Sequence, residues 1–365
     1  MGSKIWDVVA LGVAAAAITG AICFWARSIG QFAGVMDEPD GGRRLHAAAT
    51  PLMGGPAILV PALAASFLCY AKLPFPPTMF FALAAAVAAF IVGYLDDRHE
   101  LSAFLRVGLL SATIVAVVLI DPLFILHTFA FKIFGLVLSV TVPNFLAGPL
   151  VLLMMLGFVN AANMADGMNG QLLGSVMLWS AFIVHYMGSA DGLPYVFLIA
   201  SSLVAFVFNL RGKLFAGSSG AYAVSLFVGF GAIAAYRLGN GEMAAQVPVY
   251  WFWLPVLDCV RLMVSRTMHG QSPFAADRNH FHHMLVDRMG PRKALALYLA
   301  LVAAPGIAAM FGEDFASTAL VLCAAFYAAF VAVERGKVPV DWLSKRFAAA
   351  KSRDELLADV ELDLP

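Results

Sequence analysis

Long apolar runs alternate with short polar clusters along this chain. Eleven runs, at roughly 5–26, 53–71, 78–95, 104–121, 145–161, 171–188, 193–209, 220–238, 247–267, 293–311 and 315–334, each predict a membrane-crossing helix. The clearest is TMFFALAAAVAAFIVGYL, Thr78 to Leu95, in which no side chain is charged. The first run sits where a signal peptide would. Its apolar stretch is long for one, and its removal would invert every later loop, so it counts as a span. Between the fourth and fifth runs, Pro122 to Asn144 is apolar but interrupted by His127, Lys132 and prolines. That pattern predicts a short hairpin or a partly embedded loop. Beyond Glu334 the chain turns polar, which suggests a transmembrane domain over 1–335 and an exposed tail over 336–365.

Composition agrees with the pattern. Apolar residues make up 61% of the chain and charged ones 13%, about half the charged share of a soluble domain. The expected fold class is an all-α integral membrane protein of about eleven transmembrane helices, since a helix satisfies its own backbone groups in lipid. Cys23, Cys69, Cys259 and Cys323 lie in apolar runs without CxxC spacing and read as packing residues. Nineteen of the 23 Lys and Arg residues fall on one side of this topology; Lys4, Lys72, Lys132 and Arg237 fall on the other. The asymmetry predicts an outside N-terminus, a cytoplasmic C-terminus and every long polar loop on the cytoplasmic face.

Those loops carry the candidate chemistry. Asp96 and Asp97 adjoin at the end of the third run. Neighbouring carboxylates repel, so the pair either merely ends the span or serves a cation or a cluster of bases. The first loop holds Arg43, Arg44 and His46, then Gly54-Gly55 opening a helix. Such glycines let N–H groups approach an anion, although for the pair taken alone a plain turn before a span is the better explanation. In NAANMADGMNG, Asn160, Asn163, Asp166 and Asn169 recur at steps of three, a helical face of oxygens suited to a hard cation or a nucleobase edge. FNLRGKLFAGSSGAY sets Ser218-Ser219 between Gly217 and Gly220, a weak signal for a phosphate-approach turn. RTMHGQSPFAADRNHFHHML crowds Asp277, Arg278, His280, His282 and His283 together. Their spacing does not match the usual zinc patterns, and phosphate binding by Arg and His fits better.

Together RRLHAAATPLMGG, GYLDDRHELS, NAANMADGMNG, FAGSSG and GQSPFAADRNHFHHML resemble the polyprenyl-phosphate N-acetylhexosamine-1-phosphate transferases, in family order and over nearly the whole chain. The histidine cluster is similar to that of the branch using UDP-N-acetylglucosamine to initiate bacterial surface polysaccharides. The resemblance implies transfer of a sugar-1-phosphate from a UDP-N-acetylhexosamine to undecaprenyl phosphate, with release of UMP, at the cytoplasmic face of the bacterial inner membrane. It implies Mg²⁺ (or Mn²⁺) on the donor diphosphate, with Asp97, Asn163, Asp166 and Ser218 at the metal. Asp96, Asp97 and Asp166 would be catalytic, one of the acid pair deprotonating the lipid phosphate. Arg44, His46, Asn160, Asn169, Arg278, His280, His282 and His283 would bind substrate, with Phe215 stacking on uracil. The implied partners are the two substrates, the lipid bilayer and a second copy in a homodimer; nucleic acid is not among them.

Two positions depart from the family pattern. Ser218 stands where a metal-binding Asp is usual, and Asn169 where many bacterial members have Asp. A hydroxyl binds Mg²⁺ without a carboxylate's charge. Ser218 therefore supports one alternative, a relative that binds the substrates without turnover. A transporter should carry ionisable residues near mid-span, whereas here they gather at one end.

Overall fold

Each of the eleven apolar runs forms a helix. The structure, a computed structural model, describes residues 2–38, 49–71, 77–133, 136–188, 191–239, 243–273 and 278–337. In chain order come α1 (Gly2–Phe24), α2 (Ala26–Ala33), β1 (Met36–Asp37), β2 (Thr50–Pro51), α3 (Gly54–Tyr70), α4 (Pro77–His99) and α5 (Ala103–Ile120). Next are β3 (Thr128–Ile133), β4 (Leu136–Thr141), α6 (Asn144–Ala165), α7 (Gln171–Met187), α8 (Leu193–Leu210) and α9 (Gly217–Leu238). The last are α10 (Val247–Met268), α11 (Phe281–Met289), α12 (Pro291–Ala309) and α13 (Glu313–Lys337). Among the described residues nine helices are long and apolar enough to span a membrane, and α3 and α7 are apolar helices of 17 residues each. This is an all-α integral membrane protein. Met1–Leu320 forms one compact unit and Val321–Pro365 a second.

Several boundaries differ from the sequence reading, each for a local reason. The first run breaks at Trp25, and the chain continues as α2, which carries Arg27 and Gln31 and ends at a left-handed Gly34. The stretch after α5 is an antiparallel hairpin in which Thr128 faces Thr141 and Ile133 faces Leu136. Helix α4 continues to His99, so Asp96 and Asp97 belong to its last turns. Helix α6 ends at Ala165, with Asp166 outside the helical region at φ −78°, ψ 58°. The steps of three therefore do not mark one helical face: Asn160 and Asn163 are helical, whereas Asp166 and Asn169 lie in the turn that follows. Arg44 and His46, and the tail beyond Lys337, lie outside the described residues.

Helix α9 is the axis of the first unit. Every residue from Ser219 to Ala235 is buried. Its many Gly, Ala and Ser residues let backbones come close, the usual way helices associate in lipid. A Cβ on Gly93 of α4 would lie 2.5 Å from the Ser218 carbonyl, and one on Gly55 of α3 would lie 2.5 Å from Gly220 N. The first N–H groups of α3 are spent on this contact, Gly54 donating to Phe215 O at 2.8 Å and Gly55 to Ala216 O at 3.1 Å. The glycine pair thus serves helix contact, with both N–H groups already satisfied by protein carbonyls.

Candidate active site

The close approach of α4 to α9 brings an acidic helix end against a helix start. The N-cap residue of α9, Ala216, offers no side-chain acceptor. Asp97 takes that role from another helix: Ser218 N–H donates to its Oδ1 at 2.7 Å and Ser219 N–H to its Oδ2 at 3.0 Å. A carboxylate at the end of its own helix is disfavoured by that helix's dipole, and the N-terminus of α9 offsets the cost. Asp96 points elsewhere. It is buried, and its Oδ2 accepts from Tyr222 Oη at 3.0 Å and from Arg106 Nη1 at 3.2 Å. The adjacent acids therefore have separate protein partners, which answers the repulsion that made the pair conspicuous.

Asp166 closes α6 beside them. Burial first, and then the Asp97 carboxylate, push its carboxyl up from 3.8 to about 7, although part of its surface still reaches the exterior. A confined carboxyl group beside a second carboxylate suits a divalent cation. Ser218, half-buried at the start of α9, and half-buried Asn163 add neutral oxygens. Among the described residues no three His, Cys, Asp or Glu side chains form a closed metal cage. Mg²⁺ does not require one, because it commonly takes one or two carboxylates with water and substrate phosphate. The residues present fit such a shared ion.

The histidines lie against the same turn. A Cβ on Gly167 would collide with His282 Nε2, so the ring abuts the backbone next to Asp166. His282 is 1% exposed, and among the described residues its Nε2 has no hydrogen-bond partner. Burial, His283 and His280 hold it well below the ordinary histidine range, so it is neutral. His280 stacks on it with ring centroids 5.2 Å apart, and His283 lies 4.2 Å away. Beneath them, Asp258 of α10 accepts from His280 Nδ1 at 3.1 Å, Phe281 N–H at 3.2 Å and Arg261 Nη2 at 2.7 Å.

The remaining candidates are more peripheral. Phe215 is half-buried three residues before Ser218 and donates its N–H to Pro51 O. Asn160 spends its amide on Leu156 O of its own helix. Asn169 and Arg278 are exposed, Arg278 still close enough to disfavour charge on His282. Sequence reasoning passed over Tyr222, Asp258 and Asn209, and counted Arg106 and Arg261 only for orientation. Asn209 ties two motifs together, accepting from Gly170 N–H and donating to Leu214 O at 2.8 Å. Asp258 lies in the middle of α10, against the expectation that ionisable residues gather at one end of the spans, and a charged residue inside an apolar run was the available signal for it and for Arg261.

Fold and site define a polytopic membrane protein with an anionic, histidine-flanked centre at the start of its central helix. Residues 79–236 match the family described as glycosyl transferase family 4. The chain is 29% identical over 317 residues to "Undecaprenyl-phosphate alpha-N-acetylglucosaminyl 1-phosphate transferase" of Escherichia coli (strain K12), covering 80% of each chain. Identity to the protein of that name from Salmonella typhi is 30%, with the same coverage. A "Probable undecaprenyl-phosphate N-acetylglucosaminyl 1-phosphate transferase" of Bacillus subtilis (strain 168) is 28% identical over 69% of this chain and 70% of its own. The chain belongs to glycosyl transferase family 4, and is a transferase.

Proposed function

We propose that this protein transfers N-acetylglucosamine-1-phosphate from UDP-N-acetylglucosamine to undecaprenyl phosphate, releasing UMP and initiating a bacterial surface polysaccharide. The observation that carries the reading is the meeting of Asp97 and Asp166 at the N-terminus of α9 with His282 alongside. The names of the relatives support the acceptor, undecaprenyl phosphate, and the transferred group, N-acetylglucosaminyl 1-phosphate; the UDP carrier comes from the resemblance of the motifs.

A lipid-phosphate oxygen bonds to the β-phosphorus of the donor; the bond from that phosphorus to the bridging oxygen breaks, and UMP leaves with its electron pair. Both partners are anionic, so catalysis depends on positioning and charge neutralisation. Asp97, fixed by two N–H groups, takes the acceptor's proton; Asp96 keeps Arg106 in place. Asp97, Asp166, Asn163 and Ser218 would hold Mg²⁺, which when bound supplies neutralisation to the donor diphosphate. Arg278, His280 and His283 bind that diphosphate from the other side, His282 offers its open Nε2, and Phe215 stacks on uracil. Arg44, His46, Asn160 and Asn169 complete the substrate set.

The site faces the cytoplasm in the inner membrane. Ser102→Cys and Ser272→Cys should label from that side and Gly241→Cys from the other; labelling of all three from one side removes the orientation. The activity is tested by purified protein, UDP-N-acetylglucosamine and Mg²⁺ with and without undecaprenyl phosphate. UMP should appear only with the lipid. Ser218 favours a second reading, binding without turnover, and saturable donor binding with no UMP would select it.

A further inference from the structure

Asp258 sits in the middle of α10, 6% exposed. A buried carboxylate in an apolar helix is costly unless fully paired. Arg261, one turn on, neutralises it through Nη2 at 2.7 Å and Nε at 3.2 Å. Neutralisation needs nothing more, yet two further donors reach the same group, both from the HFHH segment. Phe281 N–H, at the start of α11, donates to Asp258 at 3.2 and 3.3 Å. The N-cap residue of α11, His280, makes no side-chain cap bond, so Asp258 is the acceptor that this nine-residue helix otherwise lacks. Arg261 also donates to Asn279 O at 2.6 Å, fixing the residue before His280.

The third contact decides the state of a ring. An ionised carboxylate only accepts hydrogen bonds, so His280 Nδ1, 3.1 Å away, is the protonated nitrogen. The other ring nitrogen, Nε2, is the one left to meet a ligand. The His280 ring then lies nearly parallel to that of His282, at 23°, and His282 abuts Gly167. One carboxylate thus reaches, through two stacked rings, the turn that carries Asp166.

We propose that Asp258 is a positioning residue for the transfer reaction: it fixes His280 as the Nδ1–H tautomer and, with Arg261, anchors the start of α11 so that His280 and His282 meet the donor diphosphate in one arrangement. Only the last step rests on the transfer reading; the tautomer belongs to the protein alone.

The test uses full-length protein in detergent with ¹⁵N-labelled histidine, His280 being assigned by the signals lost in His280→Gln. The wild type should show a protonated Nδ1 and an unprotonated Nε2 at His280. The double variant Asp258→Asn, Arg261→Gln leaves no buried charge unpaired; it should show a mixed or reversed His280 tautomer. Its kcat should fall about 10–100-fold, the range known for metal-bound histidines that lose their orienting partner, with KM for UDP-N-acetylglucosamine changed much less. A folded double variant with the wild-type tautomer and kcat overturns the proposal. Where that variant does not fold, Asp258→Glu decides. Its anionic acceptor preserves the tautomer, its extra methylene displaces the rings, and kcat should fall several-fold; unchanged kcat overturns the proposal. A wild type without transfer would instead remove the transfer reading, and the tautomer comparison would still show whether Asp258 sets the ring.

Discussion

Asp97 Oδ1 accepts the backbone N–H of Ser218 at 2.7 Å, so the last turns of α4 close the first turn of α9. One residue thereby caps the central helix and presents its charge to the candidate site. An amide in its place keeps one acceptor, turns an NH₂ toward a backbone N–H, and removes the charge. Asp97→Asn should lower UMP release by about 10²–10³-fold or more, as for loss of a charge-stabilising group at a transfer centre. Its melting temperature in detergent should fall as well. Near-normal turnover in the folded variant would remove Asp97 from the chemistry.

The backbone contact beneath that cap has its own test. Gly93→Ala places a methyl against the Ser218–Ser219 backbone, which cannot move aside as a side-chain tip would. Overpacking of this kind typically costs about 1–3 kcal/mol. Gly157→Ala in α6 meets nothing within 4 Å and should be neutral or slightly stabilising. Equal melting temperatures for the two variants would mean that α4 and α9 are not in such close contact.

Asp166 gives a pH dependence whose sign follows from its surroundings. Burial and the Asp97 charge raise its carboxyl from the ordinary 3.8 to about 7. Between these values the folded protein keeps a proton that the unfolded chain has released, so raising the pH across this window costs stability. In EDTA, the wild type should lose melting temperature from pH 5 to pH 8 relative to Asp166→Asn, which has no proton to lose. Parallel curves for the two proteins would show that Asp166 is not confined as described.

Ser218 tests the metal assignment. Ser218→Asp adds an anionic oxygen at the start of α9, where the helix dipole favours it. If the residue lies at the ion, the variant should need less Mg²⁺ for half-maximal UMP release, because a hard dication prefers a carboxylate. A higher Mg²⁺ requirement would place Ser218 against substrate phosphate, and no change would place it at neither.

The apolar helices were legible because lipid-facing and buried positions in a membrane helix are both apolar, so each of the eleven leaves a long, mostly apolar run, nine of them long enough to span among the described residues. Helices α2 and α11, of eight and nine residues with mixed polarity, leave no such trace. The motifs located Asp97, Asp166 and the histidines, but not their partners. Tyr222 meets Asp96 across 126 residues, a pairing with no period in the sequence. Asp258 was the nearer miss: an acid within PVLDCVRLM needs an explanation in a span, and Arg261 stood three residues on.

In the proposed reaction a phosphorus atom, and not only a sugar, moves to the lipid. UDP-N-acetylglucosamine carrying ³²P at the β-phosphate tests this most directly, incubated with purified protein, Mg²⁺ and undecaprenyl phosphate. Label should appear in the butanol-extractable lipid and unlabelled UMP in the aqueous phase, and neither should appear with Asp97→Asn. Labelled UDP in the aqueous phase, with sugar but no ³²P on the lipid, would contradict it.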